Sequence, residues 1–158
     1  PPQSAPDFIK QSPLANAAGW VDVNEKTLQH NKYANIFGLG DATSTPNAKT
    51  AAAVRKQVPI LVDNILNLMA NKAVEEKYDG YGSCPLTTSL STVMLAEFAY
   101  GGKVTPSFPV LDPRKNRWIW WLGKKIGFPW MYWSLMLKGY RFDIPSKASY
   151  AEKFTKEE

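Results

Sequence analysis

The chain has a single cysteine and a single histidine in 158 residues. One cysteine excludes an internal disulfide framework. One cysteine and one histidine also leave too few ligands for an ordinary zinc site, so no metal is expected. No stretch reaches the roughly 18 consecutive apolar residues that a spanning helix needs, because Lys124, Lys125 and Pro129 interrupt the richest one. The N-terminus has no charged-then-apolar targeting pattern, and there is no internal repeat or long low-complexity segment. The opening PPQSAPDFIKQSPLA is proline-rich and reads as an extended connection, residues 1–18, from a missing N-terminal part of a longer polypeptide.

Acidic residues are missing where basic ones are densest. Residues 113–142 contain Arg114, Lys115, Arg117, Lys124, Lys125, Lys138 and Arg141 and no Asp or Glu. The net charge of +5 therefore comes from this stretch, and the remainder carries 12 basic and 14 acidic residues. Basic charge set among apolar aromatics, rather than among Ser, Asn and Gln, argues against nucleic acid. Five of the six tryptophans lie in the run WIWWLGKKIGFPWMYW, from Trp118 to Trp133. Indole and phenol rings settle at the polar boundary of a bilayer, and lysine stems lie along apolar surface with their charges toward anionic headgroups. Two adjacent lysines, Lys124 and Lys125, are costly to bury unpaired, so the run is expected to lie on a membrane surface rather than in a core.

Elsewhere the patterns are shorter. Residues 19–23 alternate and read as a strand, as do residues 33–39, which run into Gly40 and Asp41. A helix is expected from Ala48, with Thr45 as its cap and Pro46 at its first position. Val54, Val58, Leu61, Val62, Ile65, Leu68 and Met69 recur at three- and four-residue spacing and predict a buried face, and Pro59 should bend or divide this helix. Residues 78–85 read as a loop holding Cys84, residues 93–100 as a strand, and Gly101 with Gly102 as its turn. Two amphipathic helices are expected over 114–125 and 129–139, with residues 143–158 as a weakly held tail. His30, in the polar turn LQHNKY, reads as a surface residue.

Two constellations point to chemistry. A Gly-Asp pair between a strand and a helix sets a carboxylate beside a helix N-terminus, and the glycine lets a ligand approach the backbone. Taken by itself Asp41 is as well explained by a plain strand-to-helix turn. The lone Cys84, in YDGYGSCPL, is by itself more often an inert thiol than a reactive one.

The longer stretches resolve both. YANIFGLGDATSTPNAKTAAAVRKQ, residues 33–57, resembles the second flavin-binding motif of the two-dinucleotide-domain flavoproteins, and within them is most similar to the eukaryotic mitochondrial sulfide:quinone oxidoreductases. YDGYGSCPL resembles the segment carrying one of that family's two redox cysteines. The resemblance implies an α/β fold, the C-terminal part of a Rossmann-like FAD/NAD(P)-binding flavoprotein over residues 19–112, followed by an amphipathic two-helix membrane-binding region over 113–142. It implies FAD as cofactor, with Gly40 and Asp41 at the ribityl chain and Lys49, Thr50, Ala51 and Ala52 at the pyrimidine edge of the ring. A positive helix end and a nearby cation stabilise the reduced flavin.

The resemblance further implies Cys84 as the persulfide-forming cysteine. The reaction is then oxidation of hydrogen sulfide to sulfane sulfur, passed to glutathione, sulfite, cyanide or coenzyme A, with two electrons leaving through FAD to ubiquinone. Peripheral attachment to the mitochondrial inner membrane follows. Phe98, Trp118, Trp120, Trp121, Lys124, Lys125, Phe128, Trp130, Tyr132 and Trp133 are the residues expected at the membrane and the quinone entrance. The GxGxxG fingerprint and the partner cysteine are not in this sequence, so it is expected to be a C-terminal part, inactive alone. A type II NADH:quinone dehydrogenase shares the flavin motif and the anchor but needs no cysteine in this loop. A non-catalytic membrane-binding module with a vestigial flavin motif is the remaining alternative.

Overall fold

The computed structural model describes residues 3–47, 49–140 and 144–155. The chain forms two compact units, Pro1–Gly80 and Tyr81–Glu158. The boundary falls inside the stretch 19–112, so Cys84 belongs to the same unit as the aromatic segment.

The first unit begins with one helical turn, α1 (Asp7–Lys10), and then a loop-rich scaffold. The expected strands over 19–23 and 33–39 do not form. Isolated bridges stand in their place: Ala15 with Val21, Val21 with Thr43, Val23 with His30, and Gln29 with Phe37. The reason is local competition for backbone groups. The Asn16 side-chain oxygen takes the N–H groups of Ala18 and Trp20, and that of Asn24 takes those of Lys26 and Thr27. The first removes the Trp20 donor from the expected strand, the Ser44 hydroxyl takes that of Val23 at 3.1 Å, and the Asn24 turn closes the chain between the two expected strands. His30 is corrected as well: it is buried, not on the surface. Its Nδ1 accepts from the backbone N–H groups of Lys32 and Tyr33, so Nε2 carries the hydrogen and donates to the Leu14 carbonyl at 3.1 Å.

The scaffold leads to α2 (Ala51–Met69), nineteen residues that run through Pro59 without division. The expected start at Ala48 lies outside the described residues, and Thr45 is not the cap. Its hydroxyl is buried against that of Thr43 at 3.1 Å. Thr50 caps instead, in extended backbone, accepting from the Ala53 N–H at 3.2 Å. At the other end Asn71 takes a left-handed conformation (φ 54°). Its N–H reaches Leu68 O and that of Lys72 reaches Asn67 O, the paired bonds with which a left-handed residue closes a helix.

The buried face of α2 is also not the expected one. Its fully buried residues are Ala53, Gln57 and Asn64, while Val58 and Val62 are 42% exposed and Met69 76%. Polar side chains hold the loops to the helix: Asn64 donates to Thr27 O and Glu75 O and accepts from Glu75 N at 2.8 Å. The apolar stripe is left to line an open groove of about 440 Å³ between Asn35, Phe37, Leu39, Leu61, Ile65, Leu68 and Met69.

The second unit is built on an antiparallel hairpin, β1 (Gly82–Thr87) and β2 (Val93–Phe98), with Cys84 opposite Ala96 and Ser83 opposite Glu97. Gly101 and Gly102 both have left-handed φ, 72° and 71°, and close the turn after β2. The expected pair of helices is one nearly unbroken helical run instead. It consists of α3 (Trp118–Leu122), a wide π-type turn Gly123–Gly127 and α4 (Phe128–Ser134). In a straight α-helix the ring of Pro129 would strike the carbonyl four residues earlier, and the wide turn before it gives that room. Gly139, with φ 74°, stops the run after a short turn Met136–Lys138. Residues expected in a weak tail form α5 (Ala148–Thr155), and Arg141 and Phe142 of the basic segment lie outside the described residues. Helices with a small antiparallel sheet are compatible with the α/β class.

Asn64→Ala should destabilise the first unit by about 1–3 kcal/mol, because Glu75 N and two carbonyls lose a buried partner. Val62→Ser, on the exposed stripe, should change stability by no more than about 0.5 kcal/mol. Urea denaturation of the two variants checks the difference, and equal effects would contradict the polar anchoring of α2.

Candidate functional site

In the first unit the Gly-Asp pair forms a tight 3-10 turn, Gly40–Ala42, after extended Leu39. Gly40 needs its residue type, having φ +71° and a hypothetical Cβ 3.3 Å from Val54. At Gly38 a Cβ would meet Thr43 at 2.9 Å and Val23 at 3.1 Å. The turn is held from both sides: the Gly40 N–H donates to Gln57 Oε1 at 2.7 Å, and the Thr43 hydroxyl to Gly40 O at 2.9 Å. Asp41 is left exposed beside it.

Lys49 is the cation of this region. Its ammonium donates to Thr43 O and lies 4.1 Å from the centre of the Trp20 ring. Burial lowers its pKa from the ordinary lysine value, and the Asp41 charge opposes that shift. Thr50, Ala51 and Ala52 follow at the start of α2, where unpaired N–H groups and the helix dipole favour negative charge. The fold thus gathers Gly40, Asp41, Lys49 and the α2 N-terminus around one turn: a carboxylate that accepts from hydroxyls, a glycine that permits close approach, and a positive helix end.

Two supporting residues, Gln57 and Tyr78, lie at the ends of the two quoted stretches, where the sequence assigned them no role of their own. Gln57 joins the Gly40 amide to the Tyr78 hydroxyl, which also accepts from Asn47 Nδ2 at 2.6 Å. Burial, first of all, pushes the Tyr78 pKa from 10.0 to about 12. Neutral Tyr78 is therefore favoured in the folded state. Its contribution is complete below pH 10 and is lost as pH rises from 10.0 toward about 12. Tyr78→Phe should lower stability at neutral pH by about 1–2 kcal/mol and flatten the alkaline loss. Thermal melts between neutral and alkaline pH check this, and an unchanged alkaline slope would contradict it.

In the second unit Cys84 lies in β1, not in a loop, and is half-buried with a free thiol. Alternation puts Cys84, Leu86, Met94, Ala96 and Phe98 on one face of the hairpin, so Phe98 shares a face with the cysteine. The opposite face carries Val93, Leu95 and Glu97, all buried. Glu97 accepts from the Tyr81 hydroxyl at 2.7 Å, the Ser107 hydroxyl at 2.6 Å and the Ser107 N–H at 3.1 Å. That buried carboxylate pins both flanks of the strand next to Cys84.

The aromatic segment divides. Trp120 is corrected: it is 6% exposed and packs into the core with Val93 and Leu95, its ring centre 4.7 Å from that of Phe108. Trp121 and Phe128 are half-buried. Trp118 (64%), Leu122 (38%), Ile126 (58%), Trp130 (59%) and Trp133 (67%) are exposed and follow one another at four-, four-, four- and three-residue spacing. Tyr132 is exposed as well. The lysines are not simply turned to solvent. Lys125 sits 4.7 Å over the Trp121 ring, and Lys124 donates to Pro85 O at 2.9 Å and Thr87 Oγ1 at 2.7 Å. Arg114 is paired too, through Nε and Nη2 with Asp112 at 3.0 Å. Burial alone would raise the Asp112 pKa, but Arg114 and Lys115 together hold it below the usual value. Among the described residues no helix is long and apolar enough to cross a membrane, and no group of three or more His, Cys, Asp or Glu is placed to hold a metal.

No protein-family model matches the chain. Among curated proteins it is 50% identical over 140 residues to the mitochondrial sulfide:quinone oxidoreductase of Mus musculus, covering 89% of this chain. It is 49% identical over 143 residues to that of Dictyostelium discoideum, covering 90%, and 35% identical over 142 residues to that of Schizosaccharomyces pombe, covering 87%. In each case the chain spans only 31% of the relative's length. Among solved structures, a chain of the Tetrahymena thermophila mitochondrial ATP synthase cryo-EM structure matches with TM-score 0.60 and 36% identity, over 64% of this chain and 24% of that one. Over nearly nine-tenths of its length this chain belongs, as a part about a third as long as the whole, to the mitochondrial sulfide:quinone oxidoreductase family.

Proposed function

We propose that this chain supplies part of the flavin site and one redox cysteine of an enzyme that oxidises hydrogen sulfide and reduces ubiquinone at the mitochondrial inner membrane. The observation that carries the reading is Cys84 itself, half-buried on a strand with Phe98 on the same face, in a chain half-identical to named sulfide:quinone oxidoreductases.

The residues present fit the pyrimidine and ribityl side of FAD. Asp41 would accept from ribityl hydroxyls, Gly40 would let the chain approach, and Lys49 with the α2 N-terminus would face the electron-rich edge of the ring. Bound FAD would supply a two-electron relay between a thiolate and the quinone. Lys49 suits its place because burial has already removed part of its hydration, which strengthens its attraction for negative charge.

The sulfur chemistry starts with HS⁻ attacking the sulfur bridge between Cys84 and a second cysteine outside this chain. Cys84 keeps the added sulfur as a persulfide, and the second cysteine leaves as a thiolate. An acceptor thiol, sulfite or cyanide then removes the sulfane sulfur, leaving Cys84 as a thiolate too. The two thiolates re-form the bridge, and the two electrons so released pass with two protons to ubiquinone. The exposed indoles of Trp118, Trp130 and Trp133 would rest in the bilayer boundary, where a lipid-soluble quinone is met.

In a full-length enzyme carrying this sequence, Cys84→Ser should lower sulfide-dependent ubiquinone reduction by about three orders of magnitude or more while the flavin spectrum persists. Undiminished turnover would remove Cys84 from the reaction. One observation favours a second reading, in which the chain is part of a non-catalytic membrane-binding module: the Tetrahymena match sits in an ATP synthase structure. A full-length protein purified without flavin absorbance would favour that reading.

A further inference from the structure

The lysine in the middle of the aromatic run has partners that neither a core nor a lipid surface requires. Lys124 lies in the wide turn Gly123–Gly127 and donates to Pro85 O and Thr87 Oγ1. Pro85 is the residue after Cys84. Both acceptors are on the outer edge of β1. The Leu95 N–H goes to Pro113 O at 2.8 Å, so Pro85 and Leu95 are a pair whose backbone groups point away from each other. Proline is tolerated there because that position has no ladder bond to donate. The open edge of the cysteine strand is closed by one side chain, and that side chain comes from the aromatic segment.

We infer that Lys124 is a positioning residue that couples membrane attachment to the reactivity of Cys84. Off the membrane it tethers the Pro85–Thr87 edge to the helical run, and an anionic lipid surface draws the ammonium away and frees the strand. The inference rests on the membrane and cysteine roles proposed above. Three features carry it. The acceptors are neutral, a carbonyl and a hydroxyl, so the ammonium keeps its full charge for a headgroup. Both contacts are solvent-exposed, where such bonds are weak enough for a phosphate to compete. Lys124 is itself exposed, so its long stem can swing from the β1 edge to a lipid surface that receives Leu122, Ile126 and Trp130 of the same helical run. Lys125, by contrast, is held over Trp121 and leaves the cysteine strand untouched.

The test measures how fast iodoacetamide alkylates reduced Cys84 in a full-length enzyme carrying this sequence, by mass spectrometry of the Cys84 peptide. The protein is taken alone, with phosphatidylcholine vesicles, and with vesicles of phosphatidylcholine and phosphatidylserine in equal parts. Anionic vesicles should raise the wild-type rate by about two- to fivefold, in keeping with the strength of an exposed charged hydrogen bond, and neutral vesicles should leave it unchanged. Lys124→Met should be fast without vesicles and insensitive to them, and Lys124→Arg should behave as wild type. If Lys124→Met fails to fold, Thr87→Val, which removes one acceptor, should raise the basal rate and shrink the vesicle response. A vesicle response in Lys124→Met equal to wild type, or no wild-type response in protein that co-floats with anionic vesicles, overturns the coupling. Failure to float at all overturns the membrane reading itself and the coupling with it, whereas sulfide turnover reports on the cysteine role separately.

Discussion

The second unit depends on the insertion of one indole. Trp120 packs against Val93 and Leu95 of β2 and against Phe108, and a buried tryptophan of this size dominates the energetics of so small a core. Its placement settles the rotation of the helical run. With Trp120 turned in, helical periodicity turns Trp118, Ile126, Trp130 and Trp133 out, and no described residue covers them. Exposed apolar surface of that extent, rimmed by lysines, is uncommon on a soluble face. The same insertion brings the wide turn against β1, so that Lys124 reaches the carbonyl next to Cys84. Packing, aromatic exposure and the support of the cysteine strand are therefore consequences of one contact.

The first unit follows a different rule, in which polar side chains do the joining. Gln57 reaches from α2 to the Gly40 turn, and Asn64 reaches from the same helix to Thr27 and Glu75. Satisfied buried amides are directional and specify a unique loop arrangement in a way that apolar contact does not. The outcome is a rigid turn presenting Asp41 beside a partly desolvated Lys49. The apolar stripe of α2, which would ordinarily provide the adhesion, is left half-buried to exposed in a chain that covers 31% of its relatives' length.

Motif and composition made much of this legible in sequence. The Gly-Asp turn before a helix, the strand that became β2, the glycine turn at Gly101 and Gly102, and the kinship all follow from residues that can be named in order. Features set by side-chain hydrogen bonds across loops were not legible. The strand pattern at 19–23 is real, yet the side chains of Asn16 and Ser44 take the Trp20 and Val23 N–H groups it needed. Apolar spacing in α2 pointed to the wrong buried face because Gln57 and Asn64 had found partners. His30 looked polar and exposed because the two N–H groups its ring accepts belong to its own turn. In the tryptophan run, composition could not tell which of five indoles turns inward, since that depends on where the hairpin lies against the helix.

The central claim is that the outward aromatic face meets lipid while Trp120 does not. Quenching of tryptophan emission by bromine-labelled acyl chains in anionic vesicles measures this directly in a full-length protein carrying this sequence. The account predicts quenching that is largely lost when Trp118, Trp130 and Trp133 are all changed to Phe, and that survives Trp120→Phe. Quenching that survives the triple change, or none in wild-type protein bound to the vesicles, would contradict it.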